Sequence, residues 1–244
     1  MPRFFIPTGG IVDKTVTFTG EDARHISLSL RMAEGDTLIA VTSDGYEHSC
    51  RLSAFTKESV TAEVTESRKC AAEPPCRVTL YQAYPKGDKL EFILQKAVEL
   101  GAFSVVPFES SRCIKRPSAE KAEKQRMRLE KIAREAAMQC GRGIIPAVGQ
   151  TQSFDGMLDA AKRHDLCLFC YEADGTRPLS ELLPPRERPL DIGVVIGSEG
   201  GFSPAEAEAA KAAGLSLCGL GPRILRCETA PLCVLSALLY HYEL

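Results

Sequence analysis

From Arg3 to about Ser67 apolar positions recur at every second residue, the period of a half-buried strand. Thr15-Val-Thr-Phe-Thr19 alternates strictly, Asp36 to Thr42 runs into a Ser43-Asp-Gly45 turn, and Tyr46 to Val64 continues in strand-like runs. Only Glu21 to Arg31 reads as helical. The pattern predicts a small barrel or curled sheet, with Glu73-Pro-Pro75 as the linker leaving it. Beyond the linker the period switches between strand and helix. Strands are predicted at Arg77 to Tyr84, Phe103 to Phe108, Leu166 to Tyr171 and Asp191 to Ile196. Helices are predicted at Asp88 to Leu100, about Ser118 to Cys140, Phe154 to Arg163, from Pro204, and at Ala230 to Tyr242. In the first of these helices Leu90, Ile93, Leu94, Ala97 and Val98 share one face, and Gly101 stops it. Such alternation predicts an α/β domain on a mainly parallel sheet. The last helix is apolar almost all round, so it must be buried in the domain or against a second subunit.

Two glycine-rich turns follow apolar runs near the end of the chain. After the β-branched run Asp191 to Ile196, Gly197, Gly200 and Gly201 permit close backbone approach to a ligand. Ser203-Pro-Ala-Glu206 then reads as a capping box with proline at the first helical position. Strand, glycine turn and helix mark the ligand edge of an α/β sheet. No Lys-Ser/Thr pair follows Gly201, which excludes a Walker A loop, and the turn does not open its domain as a dinucleotide fingerprint does. A nucleoside-like ligand held mainly by backbone groups stays open, with the turns at 197–201 and 219–221 as two walls of one pocket.

Composition narrows the context. The 244 residues are 44% hydrophobic, ample for a core, and carry a net charge of −2, so the whole surface does not coat nucleic acid. Charge is nevertheless uneven. Between residues 112 and 142 ten cations, Arg112, Lys115, Arg116, Lys121, Lys124, Arg126, Arg128, Lys131, Arg134 and Arg142, face four glutamates, 120, 123, 130 and 135. Pairs such as Glu120 with Lys124 would make this a solvated helix face. Phosphate contact is the functional alternative, and Arg112, Arg116 and Arg142, at loop or helix ends, are its best candidates. Arg3, Arg24 and Arg31 could add contacts from the first domain. The ten cysteines are scattered through apolar runs, as reduced thiols of a cytoplasmic protein would be. Cys167 and Cys170 lie within one strand on opposite faces and read as core residues. His25, His48, His164 and His241 form no local ligand pattern, so no metal is expected. Neither a signal-peptide core nor a run of the ~20 apolar residues that span a bilayer is present.

Ile196-Gly-Ser-Glu-Gly-Gly-Phe-Ser-Pro-Ala-Glu206 and Leu220-Gly-Pro-Arg-Ile-Leu-Arg-Cys-Glu-Thr-Ala230 resemble the two signature motifs of the bacterial small-subunit rRNA methyltransferase E family, of the SPOUT class. Ser198 stands where the family usually carries proline. The likeness continues through Arg3-Phe-Phe, His25 with Leu30-Arg31, Gly35-Asp36, Lys86-Gly-Asp-Lys89, Gln95 to Gly101, Ser111-Arg112 and Glu135 to Pro146. It implies an α+β protein of two domains, a PUA-like β-barrel at 1–72 that binds RNA and an α/β SPOUT domain at 73–244 with a C-terminal trefoil knot. It also implies S-adenosylmethionine as methyl donor, a homodimer with cofactor pockets near the subunit interface, and methylation of uracil N3 in 16S rRNA.

In that setting the cofactor contacts fall to Gly197, Gly200, Gly201, Leu220, Gly221, Ile224 and Leu225, mostly through backbone, with Glu172 a weaker candidate. Uracil N3 carries a proton at neutral pH, and if its pKa lies roughly two units above 7, ionising it costs about 2.7 kcal/mol. Arg226 and Arg223 are assigned to the uracil oxygens or a flanking phosphate. Glu228 or Glu199 is assigned to removing the proton or orienting those arginines, against a purely bracing role for both glutamates. Two other classes stay open: a non-catalytic RNA-binding module, and a methyltransferase acting at another RNA position or a ribose hydroxyl.

Overall fold

The computed structural model describes residues 1–185 and 190–244. They divide into two compact units, one of residues 1–73 with 137–145, the other of 74–136 with 146–244. The first thus takes back a later segment, whereas the expected boundary at 72/73 is a single cut.

The first unit contains β1 (Arg3–Ile6), β2 (Ile11–Val12), β3 (Thr15–Thr19), α1 (Gly20–Arg24), β4 (Thr37–Thr42), β5 (Tyr46–Phe55) and β6 (Ser59–Lys69). Its sheet runs β1-β4-β5-β6-β3-β2, with β1 and β4 parallel and the other pairs antiparallel. Alternation does what the sequence predicts: Val16 and Phe18 are buried while Thr17 and Thr19 face out. Phe4, Ile26, Leu38, Leu52 and Val60 complete the core. Register shifts at Ser49/Cys50 and Leu52/Ala54 bend the long β5–β6 ribbon, because a bulge adds local twist. The predicted helix at 21–31 is only half α. After Arg24 the chain takes one wider turn, with Leu30 N–H donating to His25 O at 2.9 Å, and Arg31 ends it at φ 54°.

The second unit comprises β7 (Arg77–Ala83), α2 (Lys89–Glu99), β8 (Ser104–Glu109), most of α3 (Ala119–Cys140), β9 (Ala147–Val148), β10 (Gln152–Ser153), α4 (Phe154–Ala161), β11 (Leu166–Cys170), β12 (Arg177–Pro178), α5 (Leu179–Leu182), β13 (Asp191–Ile196), α6 (Pro204–Ala212), β14 (Ser216–Gly219) and α7 (Thr229–Tyr242). The sheet order is β10-β8-β7-β13-β11-β14-β12, with β9 beside β8, and every pairing is parallel. All five apolar residues of the predicted face of α2 are fully buried. In α7 Pro231, Val234, Leu235, Leu238 and Tyr242 turn inward, while Cys233 and Tyr240 are exposed. The all-round apolar pattern therefore serves one buried face and one open one. Among the described residues no helix is long and apolar enough to cross a membrane.

Candidate active site

The site forms at the carboxyl ends of β13, β11 and β14, where the late strand β13 lies between β7 and β11. Five buried residues, Ile192 to Ile196, carry the chain straight to a tight turn. Gly201 N–H closes that turn onto Ser198 O at 2.9 Å. Ser198, in the position of the family's proline, is buried and its hydroxyl donates to Arg112 O at 3.5 Å, a bond proline could not make. Phe202 then anchors the turn, its ring 4.2 Å from Phe169 and stacked on Phe108. The capping box is present in full: Glu206 N–H donates to Ser203 Oγ at 3.2 Å and Ser203 N–H to Glu206 Oε2 at 2.9 Å.

The segment from Leu220 to Glu228 forms the second wall, and Cys170, Tyr171, Glu172 and Thr176 the third, around a cavity of about 450 Å³. The cavity is within the size range of small-molecule sites. Every residue assigned from sequence to cofactor or chemistry borders it: Glu172, Gly197, Glu199, Gly200, Gly201, Leu220, Gly221, Arg223, Ile224, Leu225, Arg226 and Glu228. Two glycines show why side chains are excluded. Gly201 sits at φ 61°, and a Cβ there would lie 2.4 Å from Glu172 Oε1; at Gly197 a Cβ would press on the Gly201 backbone at 3.1 Å. Among the described residues the backbone N–H groups of Leu220, Gly221, Ile224 and Leu225 donate to no protein acceptor. Such donors are left for water or a ligand.

The charged groups sort differently from expectation. Arg223 and Arg226 have exposed side chains that make no hydrogen bond or ion pair among the described residues. Glu199 and Glu228, expected to orient them, instead share Lys89, whose ammonium lies 3.1 Å from Glu199 Oε1 and 3.1 Å from Glu228 Oε2. Glu199 also accepts the Lys86 N–H at 3.0 and 3.3 Å. Burial alone would raise the Glu199 carboxyl, but its own backbone N–H, that of Lys86 and the ammonium hold it below its ordinary value. For Glu228 the Cys227 thiol, donating at 3.1 Å, is the largest cause of a lowered pKa, with Lys89 assisting. The two carboxylates push the Lys89 pKa well up, Glu199 foremost. Burial, then the bond to Glu228, pushes the Cys227 thiol to about 12.

Lys89 stands in the Lys86-Gly-Asp-Lys89 stretch that carries part of the family likeness but is not among the residues assigned to cofactor or chemistry, although a physical signal for a role exists. It is the first residue of α2, where the helix dipole disfavours a cation, so a lysine there implies anions supplied by other segments.

The RNA candidates separate into two groups. Arg24, Arg31, Arg112 and Arg116 are exposed. Arg112 donates to Gly200 O at 2.9 Å, and Arg116 to the carbonyls of Ser110 and Ser111 at 3.3 and 3.2 Å. Carbonyl partners orient a guanidinium without neutralising it. Arg3 and Arg142 are corrections. Arg3, 9% exposed, is paired with the buried Glu47, which also binds Arg68. Arg142, 3% exposed, pairs with Glu73 at 2.8 Å, and Glu73 further accepts the N–H groups of Gly143 and Ile144. Both arginines are consumed in structure within the first unit. In α3 the solvated-face reading holds for Lys124 with Glu120, for Arg126 with Glu123 and Glu130, and for Arg128 with Glu91. All ten cysteines are free, and Cys167 and Cys170 are buried. Among the described residues no cluster of three or more His, Cys, Asp or Glu could hold a metal ion.

Comparison with known proteins places this geometry. Residues 72–239 match the RNA methyltransferase domain family, and residues 18–65 the RNA methyltransferase PUA domain family. The chain is 39% identical to ribosomal RNA small subunit methyltransferase E of Bacillus subtilis, covering 100% of this chain and 98% of that protein. The same enzyme of Neisseria gonorrhoeae, solved bound to S-adenosylmethionine, is 30% identical and superposes with a TM-score of 0.86 over 99% of this chain and 98% of that one. A putative methyltransferase of Legionella pneumophila, solved with the same cofactor, is 29% identical with a TM-score of 0.87, over 98% and 96% of the two chains. The chain belongs to the ribosomal RNA small subunit methyltransferase E family.

Proposed function

We propose that the chain methylates N3 of a uridine in 16S rRNA of the small ribosomal subunit, with S-adenosylmethionine bound in the cavity at the ends of β13, β11 and β14. The observation carrying this reading is that both glycine-rich motifs close on one cavity, where among the described residues the backbone donors of the second motif and the side chains of Arg223 and Arg226 have no protein partner. The residues fit the cofactor. Gly197, Gly200, Gly201, Leu220, Gly221, Ile224 and Leu225 offer backbone to it, and Glu172 offers a carboxylate to its polar groups. When bound, the cofactor supplies an electrophilic methyl group on a sulfonium.

The protein's own part is alignment and anion stabilisation. Glu199 and Glu228 are poor bases for this task. Taking a proton from a group near pKa ~9 onto a carboxylate at or below ~4.5 is uphill by about 6 kcal/mol. The N3 proton is instead released to bulk solvent, with water or a carboxylate only a passing carrier, at a net cost of about 2.7 kcal/mol at pH 7 for a pKa near ~9, while Arg226 and Arg223 stabilise the uracil anion through its oxygens. A first domain at 1–72 and the exposed Arg24, Arg31, Arg112 and Arg116 hold the RNA. A homodimer is supported by Tyr240 and Cys233 standing exposed on α7, a trefoil knot by the late insertion of β13 beside β7, and a cytoplasmic setting by ten free cysteines. No metal is required for any step.

The test is methyl transfer from labelled cofactor to small-subunit rRNA and to assembled subunits, followed by nucleoside analysis. The label is expected on uridine N3, and Arg226→Ala is expected to lower kcat/KM by about 100- to 1,000-fold with little change in cofactor affinity. Label on a ribose or another base overturns the reading, as does a chain that binds no S-adenosylmethionine by calorimetry.

A further inference from the structure

Lys89 joins three segments remote in sequence: the turn before α2, the β13 turn through Glu199, and the segment entering α7 through Glu228. We propose that Lys89 is a positioning residue for methyl transfer, a cation shared by two carboxylates that sets the two glycine-rich walls of the cavity against each other. The inference rests on the proposed methyltransferase reading and adds to it a residue and a charge relationship.

Geometry carries the argument. Lys86 N–H holds the Glu199 carboxylate from one side and the Lys89 ammonium from another, so two residues of one turn clamp the tip of the β13 turn. The same ammonium reaches Glu228, two residues beyond Arg226, and lies 3.8 Å from Cys227 Sγ. Arg226 and Glu228 line the cavity from one short segment. Fixing Glu228 therefore fixes the stretch that presents Arg226. Each carboxylate accepts within 3.1 Å of a single nitrogen, which brings two like charges close together. Without the ammonium, repulsion between them would raise the pKa of at least one. The other titratable groups around Lys89, Glu199 and Glu228 are the Cys227 thiol, neutral at its raised pKa, the acids Asp88, Glu91, Glu135 and Glu172, with Glu91 paired to Arg128 at 2.8 Å, and the cations Lys86, Lys115 on Gly87 O, Arg112 on Gly200 O, and Arg223 and Arg226 on the same cavity. Among the described residues none of these other cations forms an ion pair with Glu199 or Glu228.

A helix-start lysine that only braced the fold would affect stability and leave kcat and its pH dependence alone. A positioning lysine predicts more. Lys89→Met is expected to lower kcat by about 100-fold, with KM for RNA and cofactor affinity each changed less than threefold, and to add a carboxyl titration to the rate profile. Lys89→Arg, which keeps the charge, is expected to recover kcat to within tenfold and to remove that titration. Carbon-13 NMR of labelled glutamate carboxyls, assigned with Glu199→Gln and Glu228→Gln, reads the same relation without catalysis. Both groups should titrate below the ordinary range in the parent chain, and one should titrate above it in Lys89→Met. If Lys89→Met is too unstable to assay, Lys89→Gln is compared with Lys89→Arg on the same measurements. Unchanged kcat and unchanged carboxyl titrations overturn the inference. If the parent chain transfers no methyl group to uridine, the functional reading fails while the NMR comparison still decides the role of Lys89. If Arg226→Ala is inactive and Lys89→Met fully active, the functional reading stands and this inference falls.

Discussion

At the residue scale the cavity depends on backbone that carries no Cβ, and two glycines separate that need from ordinary strain. Gly201 and Gly214 both have positive φ, 61° and 87°, so an alanine at either costs about 1–2 kcal/mol of conformational strain. Their surroundings differ. Nothing lies within 4 Å of a Cβ at Gly214, while a Cβ at Gly201 meets the Glu172 carboxylate at 2.4 Å and displaces it from the cavity wall. Gly201→Ala and Gly214→Ala are therefore expected to lose similar stability in thermal melts. Only Gly201→Ala should weaken S-adenosylmethionine binding, by tenfold or more in calorimetry. Equal affinities for the two variants would show that the 198–201 turn does not hold the cofactor.

At the element scale Glu206 does two jobs from one buried position. It completes the capping box of α6, and it accepts Ser111 N–H at 2.7 Å and Ser111 Oγ–H at 2.8 Å, tying the loop that carries Arg112 and Arg116 to the site. Burial would raise its carboxyl, but the N–H groups of Ser111 and Ser203 and both hydroxyls outweigh it and lower the pKa. A lowered folded-state pKa gives stability that is present above the unfolded value near ~4.3 and lost as pH falls through the folded one. Glu206→Gln is expected to cost about 1–3 kcal/mol at pH 7 and to make acid unfolding below about pH 4 less steep, measured by urea melts across pH. The capping box was legible because Ser203 and Glu206 are three residues apart. The bond to Ser111 was not, since no local pattern reports a partner across most of a domain. The same reason separates α2, whose apolar face repeats within one helix, from the role of Lys89, whose partners lie in two distant turns. Two-residue strands such as β2, β9, β10 and β12 are too short to show alternation, and the i→i+5 bond that widens the turn at His25–Ser29 leaves no mark in the apolar spacing of the sequence.

At the scale of the whole molecule a slightly acidic chain has to bind a polyanion, so which cations are neutralised matters more than how many there are. Counting charge along 112–142 treats Arg142 and Arg112 alike, yet one is 3% exposed against Glu73 and the other stands in solvent on a carbonyl partner. Burial could not be read from position at a helix end, because the acid that consumes Arg142 lies in the Glu73-Pro-Pro75 linker. The two arginines should therefore fail in different experiments. Arg142→Ala leaves Glu73 without its cation but keeps the Gly143 and Ile144 N–H groups on it, and Glu73 is 24% exposed. Its cost is expected at roughly 2–3 kcal/mol, below that of a fully buried pair, with the salt dependence of RNA binding unchanged. Arg112→Ala and Arg116→Ala, and in the first unit Arg24→Ala and Arg31→Ala, should leave the melting temperature within about 2 °C. Each should flatten the plot of log affinity against log salt by about 0.7 if its side chain meets one phosphate of an unpaired strand. A stable Arg142→Ala protein with a flattened slope would return Arg142 to the RNA surface. Unchanged slopes for all four exposed arginines would mean that the RNA is held by other cations of the chain.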